Sequence, residues 1–336
     1  MPNISLRRSK QCPREGSRRP LALMLFVFLL PFWQVQAQDA EAPRVLATVG
    51  MVGDVARNVG GECVSVDYLI GSGIDPHLFR ASAGDIAKLN DADLILYAGL
   101  FLEGQLGEVL ANFSTRKPTV AVSEQAVSEE QLIRTDDQFG VDPHIWMDVS
   151  LWAQTVPVVR DALAELVPEC APGLDERAQQ FEAQLLALHA WIEDAVASIP
   201  DQQRVLITAH DAFSYYGRAY GIEVIGIQGI STDTEAGIAD IRETAQFAVD
   251  RGIPTIFVES TINPRTVQAV VEAAASRGHE LSIGDELYSD AMGSDGTRGG
   301  TYLGMLWSNT VSITTGLGGE LPPLPRELQE WWRRWQ

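Results

Sequence analysis

Histidine, cysteine and positive charge are all scarce in this chain, which holds five histidines, three cysteines and 25 Lys or Arg against 45 Asp or Glu in 336 residues. The charge balance argues against nucleic acid as a partner, because a phosphate backbone is held by clustered Lys and Arg. It suits an acidic, well-solvated protein whose field draws cations. No His-Glu-x-x-His helix is present, and the glycines after Met292 form neither Gly-x-Gly-x-x-Gly nor a Gly-Lys-Ser/Thr loop. The motif classes of zinc proteases and of nucleotide binding are therefore missing. There are no internal repeats. The one long apolar run, Leu21 to Phe32, is too short and too closely flanked by proline for a stable membrane span. No cysteine follows it, so no lipid attachment is expected there.

That run does fit an export leader. Arg7, Arg8, Lys10, Arg14, Arg18 and Arg19 precede it and small residues follow near Val35-Gln36-Ala37, which predicts a signal peptide over 1–37 and a soluble periplasmic product. Ser17-Arg18-Arg19 leaves the export route open between Sec and twin-arginine. Without the leader the balance becomes 19 basic against 44 acidic residues. Cys12 departs with it, and the pairing of Cys63 with Cys170 is left open by a count of two.

The remaining length accommodates about two domains. Short β-rich runs at Arg44 to Val49, Val64 to Ile70, Asp93 to Ala98 and Thr119 to Val122 are spaced widely enough for helices between them. This predicts an α/β unit with a mainly parallel sheet. From Leu174 to Ile199 the period changes, with Phe181, Leu185, Leu188, Ile192 and Val196 at helical spacing. Strand and helix alternation resumes with Arg204 to Ala209, Glu223 to Gln228, Pro254 to Glu259 and Glu280 to Ile283. The expected fold is α/β with two lobes. The first, 38–172, and the second, 201–336, are joined by a linking helix over 173–200, with strand-end loops facing each other across a cleft.

The rare histidines fall in a pattern. Asp75-Pro76-His77 and Asp142-Pro143-His144 repeat one tripeptide, and Thr208-Ala209-His210 closes a β-branched run. Proline stiffens each of the first two loops and keeps the preceding Asp extended. Imidazoles gathered from separate loops point to a transition-metal site. His189 lies inside the long helix and reads as a packing residue, while His279 precedes a strand and is left out. A fourth ligand is expected from the loop after the last strand, where Asp285, Glu286 and Asp290 are equivalent on spacing alone. Asp75, Asp142, Asp148, Asp211 and Glu259 are candidates to orient the histidine rings, with helix capping or solvent the alternative for each. The Trp-rich tail, Trp331, Trp332 and Trp335 among Arg333 and Arg334, reads as a short amphipathic helix packed on the second lobe.

These motifs, together with Gly99-Leu100-Phe101-Leu102-Glu103, Asp142-Pro143-His144-Ile145-Trp146-Met147-Asp148, Phe257-Val258-Glu259-Ser260 and Leu287-Tyr288-Ser289-Asp290, resemble the zinc- and manganese-type (cluster A-I) solute-binding proteins of bacterial ABC transporters. The resemblance implies metal ligands His77, His144, His210 and Asp290. It also implies two four-stranded lobes on a rigid linking helix, and a monomer that delivers Zn2+ or Mn2+, with Fe2+ a further candidate, to an inner-membrane permease. No reaction is expected; a secreted zinc hydrolase is the alternative. Two departures bear on the metal. No histidine-rich loop lies between Phe101 and Asp142, which argues against a purely zinc protein, and His210 stands where manganese receptors tend to carry glutamate. In addition, Glu235 is followed by Ala236-Gly237 and not by Pro-Ser.

Overall fold

The computed structural model describes residues 41–136 and 140–335; the expected leader over 1–37 lies outside them. Four strands, β1 (Arg44–Val49), β2 (Ser65–Ile70), β3 (Leu94–Tyr97) and β4 (Thr119–Ala121), form a parallel sheet in the order β2-β1-β3-β4. The apolar run of β1 pairs with β2 on one side and β3 on the other, and all but its first residue is buried. Two-sided burial is why it reads as a continuous hydrophobic stretch without alternation. Helix Gly50–Gly60 crosses from β1 to β2, and helix Ala83–Asp91 from β2 to β3. The latter is started by Ser82, whose hydroxyl accepts the Asp85 N–H while the Asp85 carboxylate accepts the Ser82 N–H. Between β2 and β3 the chain moves from one side of β1 to the other, and the loops after these strands flank the switch point where open α/β sheets place their ligands.

Helix Ala171–Ala197 runs for 27 residues, about 40 Å at 1.5 Å per residue. It begins three residues earlier than the periodicity predicts, since Pro172 is tolerated in a first turn where its missing N–H has no intrahelical partner. Leu174, Phe181, Leu185, Leu188, Ile192 and Val196 are each at most 2% exposed. Cys63 and Cys170 form a disulfide that ties the approach to this helix onto the end of helix Gly50–Gly60. Arg177 adds to the tie by donating from Nε to the Val59 carbonyl at 2.7 Å and from its terminal nitrogen to the Gly60 carbonyl at 2.9 Å.

Beyond the helix come β5 (Val205–His210) paired with β6 (Glu223–Gln228), and β7 (Thr255–Ile256) paired with β8 (Ser282–Ile283), all parallel. The Phe257 N–H donates to the Ile207 carbonyl at 2.9 Å, joining β7 to β5. β7 and β8 are shorter than the sequence runs suggest, yet their pairing resumes past a break at Glu259 and Leu287. Two apolar clusters result. The larger runs from β1 through the long helix to Trp331, and the smaller surrounds β5, β6 and β7. The tail forms helix Gln329–Arg333 with Trp331 buried, and Arg298 sits 4.3 Å and 4.6 Å from the ring centres of Trp307 and Trp332. Among the described residues no helix is long and apolar enough to cross a membrane.

Candidate metal centre

Both copies of the repeated tripeptide fold into the same turn. The Asp75 carboxylate accepts the His77 N–H at 2.8 Å, and Asp142 accepts the His144 N–H at 2.9 Å. Each aspartate closes an Asx turn that its following proline helps to fix, so the two sequences aim their imidazoles by one device. His77 lies in the loop after β2, His144 just before the 3-10 turn Ile145–Met147, and His210 is the last residue of β5. Asp290 follows the loop in which Leu287 pairs with Glu259. Of the three acidic residues open on spacing, Asp285 and Glu286 are exposed, whereas Asp290 is fully buried.

One ligating atom from each of His77, His144, His210 and Asp290 lies within 4.8 Å of the others, and all four residues are buried. His77 Nε2 stands 3.3 Å from His144 Nε2. Asp290 turns Oδ1 to His144 Nε2 and Oδ2 to His210 Nε2, each at 3.2 Å, with His77 Nε2 3.8 Å from Oδ2. Zinc–nitrogen bonds of about 2.0–2.1 Å place tetrahedral ligands about 3.3 Å apart, close to three of these separations. His210 Nε2 and both Asp290 oxygens are buried without a hydrogen bond. The carboxylate contacts thus have ion-pair length but not hydrogen-bond direction. Leaving such groups unsatisfied is costly, and a cation at their common centre would remove the cost.

The charges behave accordingly. Burial disfavours the imidazolium at all three histidines, and at His77 it wins, lowering the pKa to about 4. At His144 burial is outweighed by the Asp142 and Asp290 carboxylates, which lift it to about 9. At His210 burial is outweighed by Glu259 and Asp290, which hold the ring well above its ordinary value. Burial would raise Asp290, but His210 and His144 keep it well below the usual carboxylate range. A metal entering this pocket therefore displaces protons.

Of the five acids expected to orient rings, two do so. Asp142 Oδ1 is 2.7 Å from His144 Nδ1, and Glu259 Oε2 is 2.5 Å from His210 Nδ1, with Glu259 Oε1 also accepting the His210 N–H at 2.7 Å. Each fixes the tautomer that leaves Nε2 free to ligate. Asp148 instead caps helix Val149–Ala153, Asp211 accepts the Ser214 hydroxyl at 2.7 Å, and Asp75 bonds backbone and Thr232. His189 Nδ1 meets the Tyr220 hydroxyl at 3.1 Å and His279 Nε2 the Ile253 carbonyl at 2.7 Å, so neither joins the cluster.

Supports that the sequence did not reveal link the two halves of the chain. Trp146 Nε1 donates to the Ser289 carbonyl at 2.9 Å, fastening the His144 segment to the residue before Asp290. The Tyr215 hydroxyl donates to the Asp142 carbonyl at 2.9 Å, and the Tyr302 hydroxyl to the Trp146 carbonyl at 2.6 Å. Nothing in the spacing of these aromatics marks them out, since each contact spans 73 residues or more.

Comparison with known proteins identifies the family. Residues 45–316 match the family model described as zinc-uptake complex component A, periplasmic. The chain is 42% identical over 294 residues to the zinc-binding protein TroA of Treponema pallidum, covering 88% of this chain and 95% of that protein. It is 41% identical over 274 residues to the manganese-binding lipoprotein MntA of Bacillus subtilis, covering 82% and 89% respectively. The solved structure of Treponema pallidum TroA superimposes with a TM-score of 0.80 at 43% identity, over 82% of this chain and 99% of that one. With an α/β frame, a long linking helix and a three-histidine, one-carboxylate pocket, the chain belongs to the ZnuA family of periplasmic metal-binding components of ABC transporters.

Proposed function

We propose that His77, His144, His210 and Asp290 together bind one divalent transition metal, zinc or manganese, which this protein carries through the periplasm to an inner-membrane ABC permease. The observation that supports this most directly is the convergence of four buried ligating atoms within 4.8 Å, with His210 Nε2 and the Asp290 carboxylate left without a hydrogen bond. The metal is cargo, and the protein performs no reaction on it. A hydrolase needs an open coordination position and a free general base. Here four side chains face the metal position, and the two carboxylates that contact the histidine rings from behind, Asp142 and Glu259, are engaged with them. Three imidazoles and a carboxylate suit zinc over manganese on affinity, so the metal present in the compartment decides between them.

The same reading assigns residues 1–37 to a cleaved signal peptide, 38–172 and 201–336 to the two metal-binding lobes and 173–200 to their linker, in a monomer without a membrane anchor. The test is metal content by mass spectrometry of untagged protein from its own periplasm, followed by titration of the stripped protein. One equivalent of one metal is expected. Ala at His77, His144, His210 or Asp290 should each weaken binding sharply, while His189→Ala and His279→Ala should not. Equal effects from all six would refute the site.

A further inference from the structure

The four proposed ligands are not held alike. His144 and His210 are each fixed by a carboxylate on Nδ1, and Asp290 sits in a loop pinned by Trp146 to Ser289 and by Asn309, whose amide bonds both the N–H and the carbonyl of Tyr288. All three are fully buried. His77 is 6% exposed, and among the described residues no carboxylate lies at ion-pair distance from its Nδ1. Its loop, from Gly71 to Ala81, contains no helix or strand, and its internal backbone hydrogen bonds are long, 3.2 Å for Ile74 N–H to Gly71 and 3.4 Å for Phe79 N–H to Pro76. Phe79 and Ala81 pack partly buried against the larger core at the far end of the loop, whereas Ile74 and Leu78, on either side of His77, are 44% and 49% exposed, so the segment around the ligand is held less firmly than the loop's end.

One side-chain hydrogen bond, among the described residues, ties this loop to the second half of the chain: the Thr232 hydroxyl donates to Asp75 Oδ2 at 2.5 Å across 157 residues. The other oxygen of the same carboxylate holds the His77 backbone N–H, so the bond reaches the ligand through Asp75 alone. Thr232 is itself buried, and its carbonyl accepts from Gln228 Nε2 at 3.0 Å. Gln228 ends β6 opposite His210. The chain of contacts thus runs from the most exposed ligand to the strand that holds a deep one.

We propose that the Asp75–Thr232 hydrogen bond is the latch that keeps His77 over the bound metal, and that its opening, with His77 leaving first, sets the rate of metal release. Thr232 acts as a positioning residue. It touches no metal and works through Asp75. The inference rests on the metal-binding reading given above. His144, His210 and Asp290 would then form a fixed cradle that a metal enters and leaves from the His77 side.

Zinc(II) release into excess EDTA, followed by stopped flow, tests it. Thr232→Val keeps the shape and removes the donor, and should speed release about tenfold, the worth of one hydrogen bond to a charged group. The association rate should stay near that of the natural protein. Thr232→Ser, which retains the hydroxyl, should restore slow release, and in an Asp75→Ala background Thr232→Val should add nothing. Release from Thr232→Val at the unaltered rate, or failure of Thr232→Ser to restore it, overturns the latch while uptake of one zinc by the natural protein upholds the site. Absence of zinc uptake by the natural protein overturns both.

Discussion

Replacing Glu259 with Gln changes one atom and no volume, yet the site gives the amide no good orientation. Both groups that face this side chain are donors, the His210 N–H at 2.7 Å and the His210 Nδ1–H at 2.5 Å. A carboxylate accepts both; an amide has one oxygen. If the Gln oxygen keeps the backbone bond, its NH2 meets Nδ1 and drives the proton to Nε2, where it points at the metal. If the amide turns over, its NH2 meets the backbone N–H, and with Glu259 only 2% exposed no water relieves the clash. One working part opposes this. Without the carboxylate the imidazolium of His210 is less favoured, so the metal competes with a weaker proton. The tautomer cost should prevail, because losing the partner that orients a ligating histidine typically weakens metal binding 10- to 100-fold, about 1.4–2.7 kcal/mol. Competition against a chromogenic chelator at pH 7.5 reads the affinity, with near-ultraviolet circular dichroism confirming the fold. A folded Glu259→Gln protein that binds zinc within twofold of the natural one would refute the orienting role.

Three further outcomes follow from other parts of the molecule. Burial lifts Asp54 to about 6 despite its bond from the Tyr302 N–H and the nearby Arg57, so the folded state holds its proton more tightly than the unfolded chain. Its contribution to stability therefore declines as pH rises from about 4 to 6 and is flat above, by about 3 kcal/mol in all; chemical denaturation of natural protein and Asp54→Asn across pH 4–7 should show this loss in the natural protein alone, and parallel curves would refute it. Cys63 and Cys170 close a loop with a sequence separation of 107, so Cys170→Ser should cost about 4–5 kcal/mol, measured as a fall in denaturation midpoint, and an unchanged midpoint would show that the bond adds nothing. Saturation with zinc at about 1,000 times its dissociation constant should stabilise the folded protein by about 4 kcal/mol, and His144→Ala should abolish the gain in calorimetry at the same zinc concentration.

What the sequence made legible and what it concealed divide along the range of the interactions. Strands β1 and β6 fall where their runs place them, and the long helix is visible from Phe181 to Val196, because burial on both faces of a sheet or along one stripe of a helix writes itself into adjacent residues. The two Asp-Pro-His turns are equally local. β7 and β8 are overestimated because their ladder breaks before Glu259, where Gly284 lies so close to the Phe257 ring that a Cβ there would stand 2.6 Å from it. Spacing alone left Asp285, Glu286 and Asp290 equal, since their difference is burial, which other segments impose. The same holds for the acids: Asp142 and Asp148 sit in one short motif, but only the fold shows that one meets a ring and the other a helix end.

The uneven support of the four ligands also fits what a carrier must do. A site that holds every ligand by two charged hydrogen bonds would bind tightly and release slowly, because each departure would break a buried pair. A site with four loose ligands would not form before the metal arrives. Here the carboxylates of Asp142 and Glu259 preorganise two imidazoles around Asp290, while His77, uncharged in its buried state and without a carboxylate on its ring, depends on a threonine across the chain. Tightness and release are thereby assigned to different residues. A change in the fixed group, such as Glu259→Gln, should then lower affinity partly by slowing association, whereas Thr232→Val should lower it through faster departure alone. Finding that both variants lose affinity through the same proportions of slower association and faster release would show that the four ligands act as one unit and that the asymmetry of their supports has no kinetic consequence.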